Sequence, residues 1–290
     1  MDAPIPAKRS FYNYKLFVLI SIAVLLVSVG ILVNSYLSTG DFLKRGLELK
    51  GGTVISLNLP QPVDVNSVQA SLAPKFPDIT VREIRGLSGY ELSVESPAEA
   101  DYKQILSELQ SLGISTEKQS VRTVGAALGA SFFQQVQLGL IVSFILMGIV
   151  VFILFRTFAP SIAVIAAAVT DIIETMAVMN VLGINLSLPT FAALLMLIGY
   201  SVDTDLLLTS RVLKSGSELP IPERIKGAVK TGLTMTGTTS VALAVLMISN
   251  LSPVLSEIAS VLLIGLLLDT INTWIQNVAI IRRYAEKKGL

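Results

Sequence analysis

Six long apolar runs constrain this chain more than any other feature. They lie at about Leu16–Val33, Leu138–Phe155, Ile162–Val181, Leu188–Leu208, Leu233–Ser249 and Ile258–Ile281. At about 1.5 Å per helical residue, each approaches or exceeds the length that crosses ~30 Å of hydrocarbon. A backbone in lipid must satisfy its own hydrogen bonds, so such runs become helices. Charged residues make up 15% of the 290 residues, against about a quarter in soluble chains. Lys8, Arg9 and Lys15 precede the first run and no small-residue cleavage site follows it, so it is read as a retained helix, not a signal peptide. The expected fold is a polytopic α-helical membrane protein with six transmembrane helices.

Between the first two runs the character changes. Thr53–Leu59 reads as a strand and Asp64–Leu72 as a short helix, with Val65, Val68 and Leu72 on one face. Thr80–Arg85 and Glu91–Val94 read as strands around a turn at Gly86–Gly89. A helix after Pro97 carries Ile105, Leu109 and Leu112 and stops at Gly113, and Ile114–Val121 reads as a last strand. The order β-α-β-β-α-β predicts a ferredoxin-like α+β domain. The expected organisation is then 1–33, N-terminus and first transmembrane helix; 34–133, the α+β domain; and 134–290, helices two to six with a loop at 210–231. Lys8, Arg9, Lys15, Arg156, Arg211, Lys214, Arg224, Lys226, Lys230, Arg282, Arg283, Lys287 and Lys288 all fall on one side, while Gly183–Ser187 and Asn250–Pro253 carry no Lys or Arg. Both termini and loop 210–231 are therefore expected in the cytoplasm, and 34–133 outside.

The chain has no histidine and no cysteine, which removes the commonest general base, the usual zinc ligands and all thiolate chemistry. No P-loop, nucleophile elbow or metal-ligand cluster is present, so no cofactor and no metal are expected. The net charge is +1 and no basic face is gathered, so no nucleic-acid partner is expected. Proton chemistry would have to run on carboxylates.

Ionisable groups at membrane depth cost a few kcal/mol or more each, which makes them the first functional candidates. The third predicted helix carries Asp171 and Glu174, three residues apart; the fourth carries Asp203 and Asp205, turned to different faces by two-residue spacing; the sixth carries Asp269, followed by Asn272 and Asn277. Thr238 lies at comparable depth in the run Thr231, Thr234, Thr236, Thr238, Thr239. Together these look like a polar relay. The plainer alternatives are that Asp205 pairs with Arg211 near the interface, that Glu174 snorkels, and that the threonines only pack or bond their own backbone. In the soluble part, Gly51 and Gly52 before a strand allow a close backbone approach or an ordinary tight strand entry.

Three segments resemble the SecF family of protein-export membrane subunits, within the resistance-nodulation-division superfamily. Gly-Leu-Glu-Leu-Lys-Gly-Gly-Thr at Gly46–Thr53 is similar to the family's Gly-rich entry to its external domain. Ile198-Gly199-Tyr200-Ser201-Val202-Asp203-Thr204-Asp205, running on to Arg211, resembles its fourth-helix signature, and Thr236-Gly-Thr-Thr-Ser240 the start of its fifth helix. Bacterial members usually carry Asn-Asp where this chain has Asp203-Thr204, so the family's coupling aspartate aligns with Thr204. A bacterial arginine aligns with Thr231, next to Lys230, and Asp171 matches a third-helix aspartate. The pattern is similar to the archaeal branch.

The resemblance implies an accessory subunit of the Sec translocon, assisting protein translocation across the cytoplasmic membrane. Its partners would be a SecD-like subunit, a SecY-type channel, the translocating preprotein and membrane lipid. It also implies protons as the coupling ion; with the ionisable groups placed at membrane depth, the expected pathway is Asp171, Asp203, Asp205, Lys230 and Asp269, with Gly51, Gly52, Gly199, Tyr200 and Thr238 as structural motif. Two rivals are an independent solute or lipid exporter of the superfamily and an intramembrane aspartyl protease using Asp171 and Asp203, whose Gly-x-Gly-Asp and Pro-Ala-Leu signatures are absent.

Overall fold

The computed structural model describes residues 14–76, 79–86, 89–96, 102–213, 219–249 and 252–289. Lys8, Arg9, the middle of the Gly86–Gly89 turn, Pro97 and Lys214 lie outside the described residues. Among the described residues, six helices are long and apolar enough to span a membrane. These are α1 (Tyr14–Thr39), α5 (Ala126–Phe155), α6 (Phe158–Leu182), α7 (Leu188–Leu213), α8 (Ile221–Ser249) and a last span made of α9 (Pro253–Ile271), a π-helical turn (Asn272–Asn277) and α10 (Val278–Lys288). Between α1 and α5 come α2 (Leu47–Lys50), β1 (Gly52–Leu59), α3 (Val65–Leu72), β2 (Thr80–Gly86), β3 (Gly89–Ser96), α4 (Tyr102–Ser111) and β4 (Gln119–Val124).

The strands form one sheet in the order β2-β3-β1-β4, every neighbouring pair antiparallel. This is the expected ferredoxin-like arrangement. Asp64 caps α3 by accepting from Asn66 N, and α3 and α4 cover one face of the sheet. Val68, Leu72, Ile105 and Leu109 pack there on Ile55, Leu57, Leu92 and Val94. The last strand differs from expectation: it begins at Gln119, paired to Leu57, and not at Ile114. Ile114 is buried, but from an irregular segment, so its apolar character reports core packing and not strand pairing.

Helix lengths also correct the expected boundaries. The second transmembrane helix starts at Ala126, not near 134, and α7 and α8 extend to Leu213 and from Ile221, within the loop expected at 210–231. Hydropathy marks only the part of a helix inside hydrocarbon, while backbone bonding carries the helix on into the interface; the 30 residues of α5 reach about 45 Å.

In the bundle, α6 and α7 are the most enclosed helices, and α1, α5 and α8 lie at the edge with largely exposed apolar sides. The α+β domain is fastened to the α6–α7 loop: Gly46 N donates to Leu186 O at 2.6 Å, and Leu186 N to Lys44 O at 2.7 Å. Asn180, near the end of α6, donates to Ser35 Oγ and Phe42 O. The glycine pair has a concrete reason. Gly51 sits at φ 85° and Gly52 at φ 138°, and a Cβ on Gly51 would stand 2.5 Å from Ala126 Cα, because α2 packs on the first turn of α5. Gly51→Ala should cost about 1–3 kcal/mol, read as a lower thermal unfolding midpoint in detergent. Gly30→Ala, whose Cβ meets nothing within 4 Å, should leave the midpoint unchanged.

Candidate functional site: a carboxylate network inside the bundle

Three helices bring four carboxylates into the interior. Asp171 and Glu174 come from α6, Asp205 from α7 and Asp269 from α9, and all four side chains are 0–1% exposed. The sequence puts them there by simple spacing: Asp171 and Glu174 share the side of α6 that carries Ala167, Ala168 and Thr175, while Ser201, Thr204, Asp205 and Leu208 share the inner face of α7.

The donors that meet them are hydroxyls and amides. Ser201 Oγ donates to Asp171 Oδ2 at 2.6 Å. Asn272 Nδ2 donates to Asp171 Oδ1 and to Glu174 Oε2, both at 2.8 Å. Asp205 Oδ1 accepts from Asn277 Nδ2 at 2.5 Å and from Thr273 Oγ1 at 3.0 Å. Asp269 is reached by Thr273 Oγ1 at 3.1 Å and by Thr204 Oγ1 at 3.1 Å. Among the described residues no lysine or arginine stands with these partners; the ion pairs found are Arg45–Asp41, Lys75–Glu108 and Arg282–Glu286. Glu174 Oε1, Asp205 Oδ2 and Asn277 Oδ1 are buried with no partner among the described residues.

Side chains seated on glycines pack beside the network. A Cβ on Gly265 would collide with the Leu197 side chain, one turn toward the α+β domain, and a Cβ on Gly232 with the Trp274 indole, toward the opposite end. Leu194, Leu197, Leu262 and Leu266 belong to one buried apolar cluster, and Leu208, Val212, Trp274 and Val278 to another.

Of the candidates singled out in the sequence, Asp171, Asp205 and Asp269 are brought together. Asp203 is not. It lies on the exposed side of α7 with Met196, Gly199 and Tyr200, so the pair Asp171 and Asp203 needed for an aspartyl protease does not form. Lys230 is exposed, away from the network. Thr238 is exposed and donates to its own helix, at Thr234 O and Met235 O. Asp205 bonds Thr273 and Asn277 rather than sitting at the interface, and Glu174 is enclosed rather than snorkelling. Ser201 and Thr273 were not singled out, although Thr273 falls on the four-residue spacing Asp269–Thr273–Asn277. Among the described residues no cluster suited to a metal ion occurs. Asn272→Leu should destabilise the protein by roughly 1–3 kcal/mol for each carboxylate left without its donor. Asp203→Asn should stay within about 0.5 kcal/mol; unfolding of the two variants in detergent checks the contrast.

Residues 104–287 match the family described as protein export membrane protein SecD/SecF, C-terminal. The chain is 40% identical over 265 residues to the protein-export membrane protein SecF of Pyrococcus furiosus, covering 90% of this chain and 88% of that one. It is 37% identical over 283 residues to SecF of Methanolacinia petrolearia, covering 96% of each. Among solved structures it is similar to SecDF, a translocon-associated membrane protein from Thermus thermophilus, with a TM-score of 0.75 at 19% identity, covering 99% of this chain and 40% of the SecDF chain. A second SecDF structure, in a super-membrane-facing form, matches with a TM-score of 0.54 at 22% identity, covering 96% of this chain and 39% of that one. The chain is a multi-pass membrane protein that belongs to the SecF family of protein-export membrane proteins.

Proposed function

We propose that this chain is the SecF-like accessory subunit of a Sec translocon, and that proton passage through its carboxylate network drives movement of the α+β domain against a translocating preprotein. The observation that carries the proposal is the set of four enclosed carboxylates with no cation among their partners in the described residues. Four unpaired negative charges in so dry a site would each cost several kcal/mol, so an arrangement of this kind holds protons in place of salt bridges and releases them when water reaches it. The mechanical link is short: the loop that grips the domain at Gly46 and Lys44 joins α6 and α7, the helices carrying Asp171, Glu174 and Asp205.

A SecD-like subunit is the expected partner, next to a SecY-type channel. Six helices are half of a pseudo-symmetric transporter, and the chain spans 40% of the SecDF chain it resembles. Asp203 lies about 15 Å from the far end of α7 and faces away from its own bundle beside Tyr200. A carboxylate is poorly accommodated against lipid, which favours a polar protein surface there. Arg156, Arg211, Arg224, Lys226, Lys230, Arg282, Arg283, Lys287 and Lys288 gather at the end of the bundle opposite the α+β domain. The excess of positive charge supports cytoplasmic termini and an extracytoplasmic α+β domain.

The test is export of a labelled secretory protein with and without a proton gradient, in vesicles carrying the wild type or Asp205→Asn/Asp269→Asn. The gradient-dependent part of export should vanish in the variant at equal protein level. Unchanged gradient dependence would remove the network from the mechanism.

A further inference from the structure

Thr273 stands between two carboxylates of different helices. Its Oγ1 lies 3.0 Å from Asp205 Oδ1 on α7 and 3.1 Å from Asp269 Oδ1 on α9, and all three residues are wholly buried. Several intramembrane threonines direct the hydroxyl proton only to their own helix: Thr170 to Ala166 O, Thr231 to Gly227 O, Thr234 to Lys230 O and Thr270 to Leu266 O; Thr204 reaches one carboxylate, Asp269, and also donates to Ser201 O at 2.8 Å. Thr273, the second residue of the π-helical turn, reaches two carboxylates. A hydroxyl has one proton to give and lone pairs to accept with. Placed between two carboxyl groups, it is satisfied on both sides when it donates to one and accepts from the other.

We propose that the Thr273 hydroxyl relays protons between Asp269 and Asp205. This rests on the proton-carrying function set out above and names the group that joins the two helices within it. In the transfer, the O–H bond of a protonated Asp269 breaks as its proton bonds Thr273 Oγ1. In the same step the original Thr273 proton leaves for an ionised Asp205 Oδ1. Threonine ends neutral, one proton has moved from α9 to α7, and one negative charge has moved back. Rotation about the Cβ–Oγ bond resets the hydroxyl. Asn277 Nδ2 holds Asp205 Oδ1 in place, and Thr204 Oγ1 does the same for Asp269. The other titratable groups facing the site are Asp171 and Glu174 of α6, held by Asn272 and, at Asp171, by Ser201.

The experiment uses the complex with its SecD-like partner in liposomes containing a pH-sensitive dye, under an imposed proton gradient. Thr273→Val keeps the side-chain shape and removes the hydroxyl, and Thr273→Ser keeps the hydroxyl. Flux should fall about tenfold or more in the valine variant and stay within about threefold of wild type in the serine variant, with thermal midpoints alike. Thr273→Ala replaces the valine variant if that one assembles poorly, with the same outcomes. Wild-type flux in a variant without the hydroxyl would overturn the relay alone, while a wild type that conducts no protons would overturn the proton function and the relay with it.

Discussion

Four carboxylates inside a lipid-facing bundle, with no cation among their partners in the described residues, set the terms for the rest of the molecule. Such groups are tolerated where hydrogen-bond donors meet them in the bundle interior and lipid is kept away. The helices that carry them are accordingly the enclosed ones, α6, α7 and the α9 span, while α1, α5 and α8 present largely apolar sides. The donors come from short side chains, Ser201, Thr204, Asn272, Thr273 and Asn277. The π-helical turn lets neighbouring residues serve different helices: Asn272 bonds α6 and Thr273 bonds α7. Wide turns of this kind often mark functional sites. Leu197 on Gly265 and Trp274 on Gly232 pack with apolar contacts too tight for a larger residue at either glycine.

The same economy joins the membrane part to the α+β domain. The paired backbone bonds between Lys44–Gly46 and Leu186 and the bonds of Asn180 to Ser35 and Phe42 act on the domain-side ends of α6 and α7, which carry Asp171, Glu174 and Asp205, while the seat of α2 on α5 adds a contact at the edge of the bundle. A displacement of the domain therefore bears on the loop between α6 and α7 directly. Glu48 reinforces this junction by accepting from Leu188 N, at the first residue of α7.

Much of this was legible in the sequence because lipid is an unforgiving solvent. Apolar runs give the helices, and aspartates within them give Asp171, Asp205 and Asp269. The strand and helix order of the α+β domain followed from periodicity and turn residues. What stayed hidden depends on rotation and context. Two-residue spacing shows that Asp203 and Asp205 face different ways, but only the packing of α7 on α6 and α9 decides that Asp205 turns inward. Lys230 and Thr238 looked well placed by depth, yet α8 turns both outward. Ser201 and Thr273 carry no signature as single residues, since most membrane serines and threonines bond their own backbone; the spacing Asp269–Thr273–Asn277 was the available clue.

Infrared difference spectroscopy of the membrane-embedded complex, recorded as the bathing buffer is exchanged from acidic to alkaline, tests the central claim most directly. If the enclosed network takes up and releases protons, the spectrum will contain carboxylic-acid carbonyl bands that disappear in Asp205→Asn and Asp269→Asn and persist in Asp203→Asn. A spectrum whose carboxyl bands are the same in wild type and in the Asp205 and Asp269 variants would contradict it.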